Sequence, residues 1–456
     1  MTSDSAAPSN SAVPWRSAAL SSRGVLWVAF VAVHLWLGML CLFGPGYPLG
    51  DVTVVYRLWV DQIVLGDYWV GIDGVWVYPI LAIAPMLAAF ALGPAVYAST
   101  WLTIVMLVDA VAFAAITGWL TSRNRAVVGW WWIGFLLLLG PVAVARIDAI
   151  TVALAIVGVL LLATRPVAAA VVLAVATWVK VWPAALLAAV VITNRQRRGV
   201  VLAAIAVSAV IVAVALLFGS GGNVFSFVTQ QTGHGLQVEA PISMVWLWQA
   251  ALGSPGTSIY YDQQILTFQF VGDGVAATAG LMTPVLGLAA LAVAALGVWG
   301  VMRGARPSAL LAPLALALVT TLIAFNKVGS PQFISWLAVP VVLGLATRLA
   351  GHGRSFRVPA ILVLVVAALT QSFYPYLYNE LLSLDPILVL AITVRNLLLF
   401  VVLAWAVREV VVVARDAARH PADDALPDEG QAAPHTDDSH RASPQASPQA
   451  SPQAKD

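Results

Sequence analysis

Charge is scarce in this sequence. Asp, Glu, Lys and Arg together make up 10% of its 456 residues, whereas hydrophobic residues make up 61%. A soluble domain of that composition has too little polar surface to cover itself, which excludes the class. Cysteine is nearly missing too: the single Cys41 excludes an intramolecular disulfide. No basic stretch interleaved with aromatics is present, so nothing suggests nucleic-acid binding. The apolar runs lack period-two alternation, which excludes a membrane β-barrel. A DxD-type metal and diphosphate motif is absent from the loops that matter below. Asp423-Asp424 and Asp437-Asp438 fall in a polar tail and read as solvated charge.

What is there is a series of continuous apolar runs, such as Val200 to Phe218, in a chain of mean hydropathy +0.90. Runs near 20 residues match the ~30 Å hydrocarbon core of a bilayer. The expected fold class is therefore an all-α polytopic membrane protein. Its first run, Gly24 to Phe43, follows Arg16 and Arg23 as a signal peptide would. It is long for that purpose, no small-x-small site follows, and Gly38, Met39 and Leu40 make a poor lipobox before Cys41. It reads as a retained first helix.

Twelve crossings are expected, at 24–43, 95–119, 127–140, 148–164, 166–178, 181–193, 199–218, 275–302, 308–326, 332–349, 357–374 and 386–410. With the N-terminus inside, inner loops carry Arg123 and Arg125, then Arg165, Arg195, Arg197 and Arg198, and later Arg303, Arg306, Arg348, Arg354, Arg357, Arg408, Arg415 and Arg419. The outer segments hold only Arg57, Arg146, Lys180 and Lys327 as cations. They also hold ten acids: Asp51, Asp61, Asp67, Asp73, Asp148, Glu239, Asp262, Asp273, Glu380 and Asp385. This asymmetry follows the positive-inside rule. Tyr78 to Leu92 would break it as a thirteenth crossing, and Pro79 and Pro85 fit a short outer-face helix better. Residues 1–23 and 411–456 read as cytoplasmic and mostly disordered, the second ending in a Ser-Pro-Gln-Ala repeat. Between them, 24–410 forms the membrane domain, with long outer loops at about 44–94 and 219–274.

Five polar clusters sit at the outer side. The first begins in PLGDVTVVYRLW, residues 48–59. Val52, Val55, Tyr56, Trp59, Val60 and Ile63 share a helix face, and Arg57 pairs with Asp61 at i, i+4. Asp51 stands where an N-cap belongs; a cap at a membrane surface can also face a substrate. The second is Lys180 in ATWVKVWPAALL, which must face protein, water or an anion, or else snorkel. Pro183 suggests a helix break beside it. The third is Arg146 and Asp148, expected to neutralise each other unless they meet a substrate. The fourth is AFNKVGSPQFISW, with Asn326, Lys327, Ser330 and Gln332, where Ser330-Pro331 can also be a helix start. The fifth holds His234, Gln237 and Glu239 in QQTGHGLQVEAPIS. One histidine makes no metal site. A carboxylate that takes a proton from a hydroxyl, with cations that steady a departing phosphate, is the minimum for sugar transfer from a lipid phosphate. A transporter with a charged pathway would use the same inventory, although no repeated halves are evident and the polar clusters lie at the surface.

GDVTVVYRLW, WVYPILAIAPMLAAF, RIDAITVALA, WVKVWPAALL, HGLQVEAPIS and NKVGSPQFISWL, in this order, resemble glycosyltransferase family 87 (formerly DUF2029). This is a family of actinobacterial α-mannosyltransferases with the GT-C fold, and the resemblance spans about 24–410. The sequence departs from the pattern at Ile80, where a second proline is common, and at Asn326, where some relatives carry histidine. The resemblance implies an inverting transfer of mannose from a polyprenyl phosphate to a glycolipid or lipoglycan, with α-1,2 linkage, at the periplasmic face of the plasma membrane. It implies Asp51 as the catalytic carboxylate, or His234 or Glu239 if Asn326 shifts that role. Lys180, Lys327 and Arg146 would then hold the donor phosphate. Tyr56, Arg57, Tyr78, Asp148, His234, Gln237, Glu239, Asn326 and Gln332 would line the sugar and acceptor site. No metal or cofactor is expected. Relatives that transfer arabinofuranose from decaprenyl phosphate are the alternative within the fold, and a lipid-linked sugar flippase is the alternative outside it.

Overall fold

The computed structural model describes residues 22–118, 125–230 and 233–419. Arg123 and nearly all of the two expected tails lie outside these residues. Each of the twelve expected ranges coincides with a helix. Among the described residues, eight helices are long and apolar enough to cross a membrane: Arg23–Phe43, Pro94–Thr117, Ala126–Ala143, Arg197–Leu217, Val275–Met302, Pro307–Ala324, Pro331–Leu349 and Pro386–Arg419. The chain is a multi-pass membrane protein. The other four ranges form shorter apolar helices, Asp148–Leu161, Pro166–Val179, Ala184–Thr193 and Arg357–Phe373. At 1.5 Å per residue, Ala184–Thr193 is about 15 Å long, half of a hydrocarbon core. It is short because Lys180 is extended (φ −154°, ψ 139°) and Pro183 stands before the first helical residue.

In chain order, α1 is Arg23–Phe43 and α2 is Arg57–Gly66, entered through a π-helical turn at Asp51–Tyr56. Helix α3 (Ile83–Phe90) is the short helix expected on the outer face. Next come α4 (Tyr97–Thr117), α5 (Ala126–Leu139), α6 (Asp148–Leu161), α7 (Pro166–Val179), α8 (Ala184–Thr193) and α9 (Arg197–Leu217). Two short helices, α10 (Ser226–Gln230) and α11 (Met244–Ala251), precede the strands β1 (Ser258–Asp262) and β2 (Thr267–Val271). The chain continues through α12 (Val275–Met302), α13 (Pro307–Ala324), α14 (Ala338–Leu349, after a 3-10 turn at Pro331–Leu337), α15 (Arg357–Phe373), α16 (Tyr378–Leu382) and α17 (Pro386–Arg419). Helix α17 runs nine residues beyond the expected boundary at 410.

Burial separates an inner from an outer layer. Helix α13 and the segment Pro331–Leu349 are 72% and 78% buried, whereas α9 and α12 are 11% and 17% buried. Leu202, Ile205, Val210, Leu281, Leu288 and Leu291 point outward from those two helices. In water such faces would associate; lipid solvates them without cost. Inside, His34 Nε2 and Trp132 Nε1 each lie 3.1 Å from Asp109 Oδ2, joining α1, α4 and α5.

The bundle is all-α as expected, and the second long loop adds one small hairpin, β1 with β2. They pair antiparallel, Ser258 opposite Val271 and Asp262 opposite Thr267. Residues 236–238 add a third, short extended stretch: Val238 N donates to Phe268 O (3.2 Å), and Phe270 N to Leu236 O (3.0 Å). Leu236, Val238 and Phe270 bury with Leu388, Val389 and Ile392 of α17 in a second, smaller core. This core fixes the second outer loop over one end of the bundle.

Candidate active site

A cavity of about 1060 Å³ opens at that end. Its wall comes from the junctions after α1, α5, α7, α9, α13 and α15, with α12 contributing Met282 and Leu286. Among the described residues, the junctions after α6, α8, α12 and α14 contribute nothing to it. This alternation is the one a bundle of successive crossings would give. Asp51, Tyr56, Tyr78, Arg146, Lys180, His234, Gln237, Glu239, Asn326, Lys327 and Gln332 all reach the cavity.

Asp51 does not cap its helix. Gly50 occupies the N-cap position, is itself helical (φ −51°, ψ −48°), and no side-chain cap hydrogen bond forms. The chain is already turning at Gly50, so the carboxylate is released from the backbone. It turns to Arg146, whose Nε lies 3.0 Å from Asp51 Oδ2 without hydrogen-bond alignment. The Asp51 side chain stays 38% exposed, open to the cavity, while that of Arg146 is 3% exposed.

Arg146 and Asp148 do not neutralise each other either. Arg146 Nη1 donates to Pro48 O (2.6 Å) and Ala145 O (2.8 Å), and Nη2 donates to the Tyr374 hydroxyl. Every guanidinium nitrogen is thus engaged. Burial opposes the Arg146 charge, but Asp51 together with Tyr374, Tyr56 and Tyr78 more than restores it, and its pKa sits above the ordinary arginine value. Asp148, almost fully buried, takes Lys180 Nζ at 2.6 Å on Oδ2 and Trp336 Nε1 at 2.6 Å on Oδ1. Lys180 Nζ also sits over the rings of Phe333, Tyr78 and Trp336 at 5.3–5.9 Å. Asp148 itself is behind the wall rather than in it. Arg57 is outside as well: it donates to Asp61 (2.8 Å) and Pro94 O (3.0 Å) and stacks on Phe90 and Tyr97. Both residues, expected at the sugar site, lie outside the cavity wall.

The second outer loop meets the 326–331 segment backbone to backbone. Gln237 N donates to Lys327 O (3.1 Å), and Gly329 N donates to Gln237 Oε1 (3.2 Å). Gly329 must be glycine, because a Cβ there would overlap the backbone of Glu239 and Ala240. Asn326 Oδ1 accepts from Val328 N (3.0 Å) and shapes the same loop. Pro331 opens the next helical turn, as its position suggests. Burial lowers the Lys327 pKa. Burial, helped by Lys327, also lowers that of His234, which keeps this imidazole neutral at pH 7. Burial raises the Glu239 pKa, offset in part by the Tyr378 hydroxyl, which donates to Oε1 at 2.5 Å, and by Arg395.

Tyr374 and Tyr378 also line the cavity, and motif reading misses them. They come from SFYPYLYNE, between α15 and α17. Gly46 brings the first outer loop against that segment: its φ of +81° and the closeness of the Pro375 carbonyl leave no room for a side chain. The wall also carries Trp59, Trp76, Phe333 and Trp336, flat faces of the kind that pack on sugar rings. No groups of three or more metal-ligating side chains occur among the described residues.

A multi-pass helical membrane protein with one large cavity at its helix ends, walled by carboxylates, cations and aromatics, is built for a polar reaction beside lipid. The sequence matches the model of glycosyltransferase family 87 over residues 76–325, more than half of the chain. The chain belongs to that family, and the protein is a glycosyltransferase. The match includes Tyr78, Arg146, Lys180, His234 and Glu239 but begins after Asp51 and ends before Lys327. No curated protein and no solved structure gives a match.

Proposed function

We propose that this enzyme transfers mannose, with inversion, from a polyprenyl-phosphate donor to a cell-envelope glycolipid or lipoglycan. The reaction takes place on the periplasmic side of the plasma membrane, with both termini cytoplasmic. The observation that carries this reading is the composition of the cavity wall. The open carboxylate of Asp51 and the cation of Lys327 share it with Met282, Leu286 and Leu322, apolar residues of α12 and α13. A lipid phosphate needs such a wall, part polar and part greasy.

The acceptor hydroxyl gives its proton to Asp51 as its oxygen bonds to the anomeric carbon. The bond from that carbon to the phosphate oxygen breaks, and its electron pair leaves with the polyprenyl phosphate. Lys327 meets the phosphate charge in a low-dielectric setting, where the attraction is stronger than in bulk water. Lys180 adds a charge that Asp148 already half-neutralises. Arg146, with every nitrogen engaged, holds Asp51 in line rather than the phosphate.

The test is a donor panel. Purified protein is given mannosyl and arabinofuranosyl polyprenyl phosphates, and the product linkage is scored. Transfer of mannose to an α-linked product supports the reading, and transfer of arabinofuranose alone replaces the sugar. Turnover of neither, with lipid-linked sugar crossing vesicles, overturns it in favour of a transporter.

A further inference from the structure

Asn326, Gln237 and Gln332 bring carboxamides to the cavity wall, and they differ in how much of each is already in use. Asn326 uses both ends: Oδ1 accepts from Val328 N (3.0 Å), and Nδ2 donates to Leu322 O (3.3 Å). Gln237 uses one end: Oε1 accepts from Gly329 N at 3.2 Å, and Ser330 Oγ approaches the same oxygen at 3.5 Å. Gln332 uses neither. Its backbone oxygen accepts from Ser335 Oγ (2.6 Å), which fixes the turn, but its side chain makes no hydrogen bond among the described residues. Both glutamines are nearly enclosed by protein, at 3% and 9% exposed. Folded proteins rarely leave such groups without partners. The unused atoms, Gln237 Nε2 and both polar ends of Gln332, are not sealed off; they open on the cavity.

The orientation of Gln237 follows from its partner. A backbone N–H can only donate, so the side-chain oxygen faces Gly329 and the amide nitrogen is left for the cavity. Gln237 therefore offers a ligand hydrogens alone, whereas Gln332 offers hydrogens and an oxygen. A phosphate has no hydrogen to give and would set negative charge against Gln332 Oε1. A hydroxyl both gives and takes, and neighbouring hydroxyls of one ring match the two ends of a carboxamide. Phe333 and Trp336, from the same turn as Gln332, line the same wall and supply flat apolar surface for a ring's carbon face. Both glutamines are close to Lys327 in the fold: Gln237 N donates to its carbonyl at 3.1 Å, and Gln332 follows it across one short loop. The ring bonded directly to the donor phosphate is the sugar that is transferred.

We propose that Gln237 and Gln332 bind hydroxyls of the donor sugar and set which sugar the enzyme accepts. This rests on the glycosyl-transfer reading, with Lys327 at the phosphate, and goes beyond it by assigning both side chains to the transferred ring rather than to the acceptor.

The experiment compares wild type with Gln332→Met and Gln237→Glu. The first keeps side-chain length and removes both hydrogen-bonding ends; the second keeps the oxygen that Gly329 needs and removes the amide hydrogens. Donors are polyprenyl-phosphate mannose and its 2-, 3-, 4- and 6-deoxy analogues, with octyl α-mannoside as probe acceptor. Gln332→Met should lower kcat/KM for the complete donor about tenfold, the loss of one hydrogen bond, with acceptor KM unchanged. One deoxy donor should lose a similar factor with wild type and nothing further with Gln332→Met, because hydroxyl and partner are then both gone. Gln237→Glu should mask one deoxy donor in the same way. Losses that multiply for every deoxy donor overturn the proposal, as does a rise in acceptor KM with donor discrimination unmoved. A lower melting temperature with wild-type discrimination would reduce the glutamines to structural roles and also overturn it. If wild type transfers arabinofuranose instead, deoxy-arabinofuranosyl donors take the same comparison. If wild type uses no lipid-phosphate donor, the transfer reading fails by itself, and calorimetric binding of polyprenyl-phosphate mannose decides the sugar contacts. Gln332→Met must then bind it about tenfold more weakly; equal binding, or none by wild type, overturns the assignment.

Discussion

Arg146 holds Asp51 from a position it cannot leave. Its Nε is 3.0 Å from the Asp51 carboxylate, and its two terminal nitrogens are spent on Pro48 O, Ala145 O and the Tyr374 hydroxyl. The carboxylate is therefore aimed by a fixture tied to three separate stretches of chain.

Asp51→Asn keeps the shape and loses the proton acceptor. Transfer should fall by about 10²–10⁴-fold, the usual contribution of a positioned base. Size-exclusion behaviour and melting temperature in detergent should stay at wild-type values. Substantial remaining transfer would move the base to His234 or Glu239.

Arg146→Lys keeps the charge and loses the fork. A lysine cannot reach Asp51, two carbonyls and Tyr374 at once. The expected result is a fall in kcat of about tenfold or more with little change in donor KM. A rise in donor KM alone would return Arg146 to the phosphate.

The pH dependence of donor use should report Lys327. Burial lowers its pKa, so the ammonium is fully present only below that lowered value. As pH rises through it, positive charge is lost and donor KM climbs, at a pH below the ordinary lysine range near ~10.4. Lys327→Arg should flatten the profile, because arginine does not titrate there. An unchanged alkaline limb in that variant would remove Lys327 from phosphate binding.

Gly329→Ala should separate the two loops that form the floor of the site. The added methyl meets backbone rather than a flexible side chain, so the chain must shift. Overpacking of this kind costs about 1–3 kcal/mol. A lower melting temperature should accompany a loss of transfer, whereas a surface substitution such as Gly253→Asn should change neither.

The His34–Asp109–Trp132 cluster predicts a non-additive pair. Asp109→Leu alone strands His34 and Trp132 Nε1, at about 3 kcal/mol. Adding His34→Leu should recover part of that loss, as apolar replacement of a whole buried pair does. Thermal unfolding in detergent measures both. Strict additivity would show that the contact carries no coupling.

Much of this arrangement was legible because long apolar runs leave little freedom. Helix positions follow from run length, and the sidedness of arginine places Asp51, Arg146, Lys180, Glu239 and Lys327 together at one end. The pairing was not legible. Arg146 and Asp148 are two residues apart, but residues at that spacing on a helix do not face each other. Arg146 precedes α6 and reaches Asp51; Asp148 opens α6 and reaches Lys180. Capping by Asp51 failed because local rules cannot see that Gly50 already turns helically. The hairpin could have been read from the alternation in SIYYDQQILTFQFV. Tyr374 and Tyr378 were hidden by an ambiguity: tyrosines near helix ends are ordinary interface residues whether or not they hold a carboxylate.

The fourfold engagement of Arg146 has a consequence for the energy of turnover. Reaction in water is slow partly because solvent dipoles must turn as charge moves from hydroxyl to leaving phosphate. In the proposed reaction, the dipoles around the Asp51 carboxylate are oriented when the chain folds and have nowhere to turn. The reorganisation is settled once, in the folding of loops 44–56 and 374–378 around one guanidinium, and is not repeated with each sugar.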